Sequence, residues 1–445
     1  MNAAIISIGD ELVLGQTVDT NSAWLSERLA AIGVKVGMHI TVEDELGAVA
    51  EVIEAMCERS CVVLVSGGLG PTEDDLTRAG LARAMGVDVV QSEEMLASVE
   101  GYFRDKIGRE MPARNRVQAM KPVGTEMIKN DWGTAPGIRA ELDGATVFVM
   151  PGVPSEMRGM YEHCVEPAIQ EIGKKDEVEG MGTLRRVILT KKVNTFGLGE
   201  SDVGERLGKL MRRDRNPVVG TTVSEGICGV RIRAEYEDAD GAEKAIAETV
   251  GLIEEKMGRF VFGCDDERLQ DAVVQALQRT NRTVATAESC TGGLIGKMIT
   301  DVSGSSDVYK GGYVTYSNEM KMTCLGVPKE VLEAYGAVSR EVAGAMAKGV
   351  IEQTGSDYGV GVTGIAGPGG GSDEKPVGTV WIGIASRAKN GEIRCYTALL
   401  NQWGDRARVR DRAAKCCLQA LRFVMLDEPI EKMSWVREVA VIGGT

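Results

Sequence analysis

Residues Thr283–Gly296 read TVATAESCTGGLIG, and the fold of the second half of the chain follows from how this stretch is read. A short apolar, β-branched run (Thr283, Val284, Ala285) meets a polar cluster (Glu288, Ser289, Cys290, Thr291), then Gly292 and Gly293, then a helical pattern to about Thr300. This is a strand feeding a helix through a tight polar turn. First-turn N–H groups have no partner inside their helix, so Thr291, Gly292 and Gly293 offer donors to an anion or a developing oxyanion. Ser289 is placed where those donors aim. A Ser/Thr N-cap followed by glycines that admit close helix–strand packing would leave the same pattern without chemistry.

The 445 residues exceed the size at which one core stops growing, so two or three domains are expected. A net charge of -14 and a pI near 5.0 disfavour binding to phosphate backbones, and nucleic acid is not an expected partner. The 10 cysteines are scattered without a C-x-x-C pair or zinc-like spacing, which fits reduced thiols. The opening MNAAIISIGDELVLG lacks a basic leader, and no stretch is apolar for long enough to span a bilayer, so a cytoplasmic location without membrane contact is expected. Histidines occur only at His39 and His163. A Ser–His–Asp arrangement at Ser289 would need one of them to fold across from another domain.

From Ala3 to about Gly70 strand and helix patterns alternate: AIISIG, then SAWLSERLAAI with Thr20, Asn21 and Ser22 as capping residues, then VKVGMHI, a helical pattern over about 44–58, and CVVLV. This βαβαβ order predicts an α/β domain with a doubly wound parallel sheet and ligands at the carboxyl ends of its strands. Three polar loops fall there. The first holds Gly9, Asp10 and Glu11; the second, SGGLGPTEDD, holds Ser66, Gly67, Gly68, Gly70, Thr72, Asp74 and Asp75; the third, MPGVPSEM, holds Pro151, Gly152 and Glu156. Glycines let a phosphate or pterin approach the backbone, and Asp74 and Asp75 could hold a divalent ion bridging phosphates. A glycine turn opening an acidic helix start is the structural alternative.

In order and spacing, GDELVLGQTVDTN, SGGLGPTEDD and PGVPSEM resemble the molybdopterin-binding-like domain at the front of CinA-type (competence/damage-inducible) proteins. The resemblance covers about residues 1–172 and implies metal-dependent hydrolysis of ADP-ribose, with Mg2+ or a similar ion as cofactor. Residues 173–258 open on the charged linker GKKDEVEGMG and continue in β-α-β-β-α order as a small α+β module, comparable to the KH-like middle domain of that family. A KH loop that grips nucleic acid needs G-x-x-G with basic flanks; GLGE at Gly197–Glu200 has neither the spacing nor the charge. Residues 259–425 form a third, α/β domain, in which AESCTGG, YSNEMK, GAVS, TGIAGPGG, EKPVGTV and GDR closely resemble the carboxy-terminal CinA domain. That domain is similar to nicotinamide mononucleotide deamidases. The tail, 426–445, extends beyond these motifs and is expected to cover a neighbouring domain or subunit.

Amide hydrolysis needs a nucleophile, a base, oxyanion donors and an acid for the leaving ammonia. With no histidine after His163, Lys321 in YSNEMK is the base candidate, since desolvation can bring a lysine near neutrality. Ser289 and Lys321 form the expected dyad, with Tyr316 orienting Lys321 or relaying its proton and Thr363 in the same hydrogen-bonded cluster. Cys290 is a rival nucleophile because thiolates are more reactive, but the family pattern favours serine. A mononucleotide phosphate could be wrapped by GIAGPGGGS (Gly364, Gly367, Gly369, Gly370) and clamped by Arg406 or Arg410. Glu288 could anchor ribose hydroxyls or cap the helix.

The resemblance thus implies two activities of pyridine-nucleotide salvage: an amidase without cofactor in the third domain and an ADP-ribose-type pyrophosphatase in the first. A front domain that only senses a pterin or nucleotide, or a wholly non-catalytic DNA-uptake or recombination partner, are the alternatives. Expected partners are nicotinamide mononucleotide, ADP-ribose and a second copy of the chain in a homodimer.

Overall fold

The computed structural model describes residues 1–178 and 187–442, with the backbone alone for 174–178. It divides into two compact units, Met1–Leu189 with Ala234–Lys244, and Thr190–Arg233 with Ala245–Thr445.

The first unit is built on β1 (Asn2–Ile8), β2 (Lys35–Val42), β3 (Val62–Ser66), β4 (Val89–Gln91), β5 (Met120–Pro122), β6 (Glu126–Ile128), β7 (Gly137–Leu142) and β8 (Ala145–Met150). Six of these make one sheet in the order β2-β1-β3-β8-β7-β6. β2, β1, β3 and β8 are parallel, whereas β7 and β6 add an antiparallel edge. Every residue of β3 and β8 is buried, the expectation for central strands covered on both faces. Alternation along β1 sorts the core: Ala4, Ile6 and Ile8 meet Val49 and Ile53 of the helix Leu46–Cys57, while Ala3 and Ile5 share a cluster with Leu25 and Leu29 of the helix Thr20–Ala31. Burying each such leucine contributes about 1.5–3 kcal/mol.

The helix Thr20–Ala31 begins one residue earlier than its capping pattern suggests. Asp19 is the N-cap, accepting the Ser22 N–H at 2.9 Å, and Asn21 and Ser22 are buried within the first turn. The expected linker at 173–182 is also displaced: the helix Glu166–Val178 continues through its first part, and 179–182 lie outside the described residues.

The middle module comprises β9 (Val187–Thr195), β10 (Val218–Ser224), β11 (Ile227–Tyr236) and β12 (Val261–Cys264), ordered β10-β11-β9-β12, with helices Glu200–Leu207 and Ala239–Met257. The expected β-α-β-β-α order holds, and β12 completes the sheet.

The carboxy-terminal sheet runs β14-β13-β15-β16-β17-β18, with β13 (Val284–Glu288), β14 (Tyr309–Val314), β15 (Tyr358–Gly364), β16 (Thr379–Arg387), β17 (Ile393–Asn401) and β18 (Val436–Ile442). β13 lies parallel to β14 on one side and to β15 on the other, and the remaining strands are antiparallel. β18 comes from the tail after residue 425, so Val436–Ile442 form an edge strand of this sheet. Just before it, Trp435 meets Phe196 of the middle module edge-on at 5.0 Å, and the Ser434 N–H donates to the Gly197 carbonyl at 2.8 Å.

Both large sheets share one local order. In each, the first strand is flanked by the second and third, which makes a switch point with a crevice beyond the strand ends. Ser66 and Gly67 follow β3 at one of them, and Ser289 follows β13 at the other.

Candidate active site

The strand β13 ends at Glu288, and its hydrogen bonds continue into the turn. Ser289 N–H donates to the Val362 carbonyl at 3.0 Å and Thr315 N–H to the Glu288 carbonyl at 2.8 Å, so Ser289 is held between β14 and β15. The helix Asn318–Leu325, N-capped by Ser317, carries Lys321 on its buried side. Lys321 Nζ lies 3.2 Å from Ser289 Oγ, 2.9 Å from the Thr315 carbonyl and 3.4 Å from the Tyr316 carbonyl. Only 1% of Lys321 and 8% of Ser289 is exposed. Among the described residues no carboxylate pairs with this ammonium. Desolvation therefore lowers the Lys321 pKa below the ordinary lysine value, opposed weakly by Cys290.

Cys290 is buried, and desolvation raises its thiol to about 12. A thiol so protonated is an inert packing group, which leaves Ser289 as the candidate nucleophile of this turn.

Several expected partners are placed differently. The helix after the turn starts only at Leu294, with Gly293 as its cap in the left-handed region at φ 90. Its first amides, those of Ile295 and Gly296, donate to the Glu288 carboxylate at 3.1 and 2.8 Å. Glu288, 1% exposed, is thus the cap and not a ribose ligand, and the helix start is closed to an anion. Gly292 N–H is also used, donating to the Ser289 carbonyl at 3.1 Å. The Thr363 hydroxyl donates to the Ala337 carbonyl at 2.8 Å instead of joining Lys321. Tyr316 meets Lys321 only through its carbonyl; its side chain is 60% exposed and its hydroxyl accepts from Arg406 at 3.0 Å.

Arg406 also donates to the Gly367 carbonyl at 2.8 Å, tying the glycine-rich loop to Tyr316. Gly364 ends β15, Gly367 is buried under this anchor, and Gly369 and Gly370 stand exposed. Both Arg406 contacts are neutral, so its charge is not cancelled by them. Arg410 does not reach toward a phosphate site. Its guanidinium donates to the Cys290 carbonyl at 3.1 Å and the Thr291 carbonyl at 2.7 Å.

In the first unit the strand-end loops converge as expected. Gly67 N–H donates to the Met150 carbonyl at 3.0 Å, and a Cβ on Gly152 would lie 3.3 Å from Gly67 Cα. Asn21 Nδ2 bridges Ser66 Oγ and the Gly152 carbonyl at 3.0 and 2.9 Å, and Ser66 Oγ reaches the Pro151 carbonyl at 3.4 Å. Arg78, 3% exposed, donates to the Leu69 and Gly70 carbonyls from beneath the second loop. Gly68 is held against Thr77, whose hydroxyl donates to the Gly67 carbonyl at 2.9 Å.

The acids behave differently from expectation. Asp75 accepts from Gly70 N–H, Thr72 N–H and the Thr72 hydroxyl at 2.5, 2.8 and 2.5 Å, so it braces its own loop. Glu156 accepts from Asn130 at 2.7 Å, and desolvation raises its pKa. Asp10 and Glu11 are exposed; Asp10 N–H donates to the Asp44 carboxylate at 3.0 Å and Asp44 N–H to the Asp10 carboxylate at 3.1 Å. The Asp44 pKa is raised, first by desolvation and then by Asp10, Glu11 and Asp74. Asp44 was not legible as a site residue because its partner lies 34 residues away, though its place just after β2 marks a strand-end loop. Among the described residues no three Asp, Glu, His or Cys side chains are gathered to hold a metal ion. Of the expected metal pair, Asp75 is committed to its own loop, whereas Asp74 stands near Asp44, Asp10 and Glu11.

Comparison with known proteins follows the same three-part division. Residues 4–171 match the family described as a probable molybdopterin binding domain, 190–263 the damage-inducible protein CinA KH domain, and 266–425 the CinA C-terminal domain. A CinA-like protein of Gemmatimonas aurantiaca is 39% identical over 424 residues, covering 95% of this chain and 96% of its own. The chain belongs to the CinA family. A putative competence-damage inducible protein of Caldanaerobacter subterraneus, another CinA relative, is 40% identical over 417 residues, covering 93% of this chain and 96% of its own. A crystal structure of the protein CinA with unknown function, from Thermoplasma acidophilum, is 32% identical and covers 38% of this chain and 98% of that one, with a TM-score of 0.35. No helix among the described residues is long and apolar enough to cross a membrane.

Proposed function

We propose that the second unit is an amidohydrolase of pyridine-nucleotide salvage that converts nicotinamide mononucleotide to nicotinate mononucleotide and ammonia. The observation that carries this reading is the buried contact of Lys321 Nζ with Ser289 Oγ at 3.2 Å, with no carboxylate paired to the lysine among the described residues. Neutral Lys321 has two N–H donors and one lone pair. The Thr315 and Tyr316 carbonyls take the donors, which turns the lone pair toward the Ser289 hydroxyl.

Lys321 then accepts the Ser289 proton as Oγ bonds to the carboxamide carbon. The tetrahedral intermediate collapses with cleavage of the C–N bond, and the Lys321 ammonium gives its proton to the departing nitrogen, which leaves as ammonia. Water attacks the acyl ester by the same route, losing its proton to Lys321 and releasing the carboxylate and the serine. Arg406, bound only to a carbonyl and a phenol, is the cation available to the substrate phosphate.

The test is ammonia release from nicotinamide mononucleotide in the presence of chelator, with the nucleotide product identified by mass. Activity in wild type that survives chelation and disappears in Ser289→Ala supports the reading; no release from folded wild type overturns it.

For the first unit the second activity is hydrolysis of ADP-ribose-type pyrophosphates, supported by the convergence of Ser66, Gly67, Asn21 and Gly152 at the switch point. Asp44, Asp10, Glu11 and Asp74 are the acids beside these loops that would meet a divalent ion, and no step is assigned to it. Hydrolysis of ADP-ribose that is abolished by chelator and restored by Mg2+ supports a metal-dependent enzyme. Binding of ADP-ribose without turnover under both conditions would make this unit a nucleotide sensor.

A further inference from the structure

We infer that Arg410 is a positioning residue that preorganises the oxyanion donors of the Ser289 turn, an inference that rests on the amide-hydrolysis reading. The three peptide groups after Ser289 all have their carbonyls tied. The Ser289 carbonyl accepts from Gly292 N–H at 3.1 Å, and Arg410 takes the next two, with Nε on the Cys290 carbonyl at 3.1 Å and a terminal nitrogen on the Thr291 carbonyl at 2.7 Å.

A trans peptide is planar, so fixing a carbonyl fixes the direction of the N–H on the other side of the same bond. The Ser289 carbonyl sets Cys290 N–H, the Cys290 carbonyl sets Thr291 N–H, and the Thr291 carbonyl sets Gly292 N–H. Gly292 N–H is consumed by the turn itself. Cys290 and Thr291 N–H donate to no main-chain carbonyl among the described residues; the acceptor they face is the weakly accepting Cys290 sulfur, and they adjoin the nucleophile. Donors held in place before the charge develops are the ones that stabilise a tetrahedral oxyanion.

The turn admits this fork only with glycine at 292. Gly292 has φ +61, and a Cβ there would lie 3.1 Å from the Arg410 terminal nitrogen. A lysine at 410 has one point of charge and cannot fork two successive carbonyls. The role differs from a phosphate clamp in what it predicts: a clamp acts on substrate binding, whereas a positioned oxyanion donor acts on the chemical step.

Wild type, Arg410→Ala, Arg410→Lys and Arg410→Gln are compared by steady-state ammonia release from nicotinamide mononucleotide, with thermal unfolding as the check on folding. The expected result is a fall in kcat of about 100-fold in Arg410→Ala with KM little changed, slight recovery in Arg410→Lys, and partial rescue of Arg410→Ala by added guanidinium ion. A raised KM with kcat retained, in any variant that folds, overturns the inference in favour of a phosphate clamp. Labelling by a fluorophosphonate is read alongside, because it reports serine activation without nicotinamide mononucleotide. A labelled wild type that releases no ammonia overturns the substrate reading while slower labelling of Arg410→Ala still supports the positioning role. Equal labelling of wild type and variant overturns that role.

Discussion

Lys321 Nζ approaches the Thr315 carbonyl at 2.9 Å, more closely than the 3.2 Å that separates it from Ser289 Oγ. The lysine is therefore seated by main-chain acceptors that no side-chain substitution removes, and only its third position faces the nucleophile. Lys321→Met and Ser289→Ala should each lower kcat for amide hydrolysis by about 100- to 10,000-fold. Lys321→Arg should fail as well, because a guanidinium keeps its proton. Ammonia release measured on folded protein checks this; activity retained in Lys321→Arg would rule out lysine as the base.

The pH dependence of activity follows from the same burial. Lys321 must lose its proton to act, and its pKa lies below the ordinary value of 10.5. The kcat/KM for nicotinamide mononucleotide should rise with pH and level off above the depressed lysine pKa. A profile that is flat on the acid side, in an enzyme that needs Lys321, would contradict this.

Stability carries the opposite signature of a charge buried without a counter-ion. The folded pKa is depressed relative to the unfolded lysine, so between the two values the unfolded chain binds the extra proton, and stability rises with pH across that window up to about 10.5. Lys321→Met should abolish this rise and be more stable than wild type at neutral pH. Denaturant unfolding at a series of pH values is the measurement; an identical pH dependence in both proteins would sink the prediction.

Glu288 caps its helix with both oxygens, so Glu288→Gln replaces one acceptor with a donor that faces a main-chain N–H. The expected loss is about 1–3 kcal/mol of stability in the second unit, read by denaturant titration. Unchanged stability with a weakened KM would return Glu288 to the role of a ribose ligand.

Asp75 braces the Gly70–Thr72 segment, and Asp75→Asn should loosen that loop whether or not a divalent ion is present. Asp44→Asn should instead alter the response of the first unit to Mg2+, because Asp44 sits among Asp10, Glu11 and Asp74. ADP-ribose binding by calorimetry, with and without Mg2+, separates the two. An Asp75→Asn defect seen only in the presence of Mg2+ would restore Asp75 as a metal ligand.

What could be read from the chain is what local pattern determines. The strand–turn–helix around Ser289, the strand-end loops at Gly9, Ser66 and Pro151, and the helix that carries Lys321 all announce themselves by periodicity and capping residues. The destinations of polar side chains do not. Glu288 as cap, Arg410 on the Cys290 and Thr291 carbonyls, Thr363 on Ala337 and Asp44 beside Asp10 each depend on which backbone donor or acceptor tertiary packing brings within 3 Å or so. The tail is expected from its sequence to pack on a neighbouring domain, and Trp435 does meet Phe196; its strand is not legible, because β18 has a partially exposed, mixed pattern and only its pairing with β17 shows it to be a strand of the same sheet.

The long helix Arg406–Met425 has consequences at both ends. Its first turns hold the glycine-rich loop and the Ser289 turn through Arg406 and Arg410. Farther along, Lys415, Gln419 and Arg422 donate to the carbonyls of Glu225, Phe196, Arg259 and Val261 in the middle module. At 1.5 Å per residue such a helix spans about 30 Å. The Ser289 turn and the KH-type module are thus clamped to opposite ends of one rod, and should open and close to solvent as a single cooperative unit in hydrogen exchange. Loosening the Phe196 end by Gln419→Ala should then raise amide exchange at Cys290 and Thr291, although no atom of Gln419 belongs to the site.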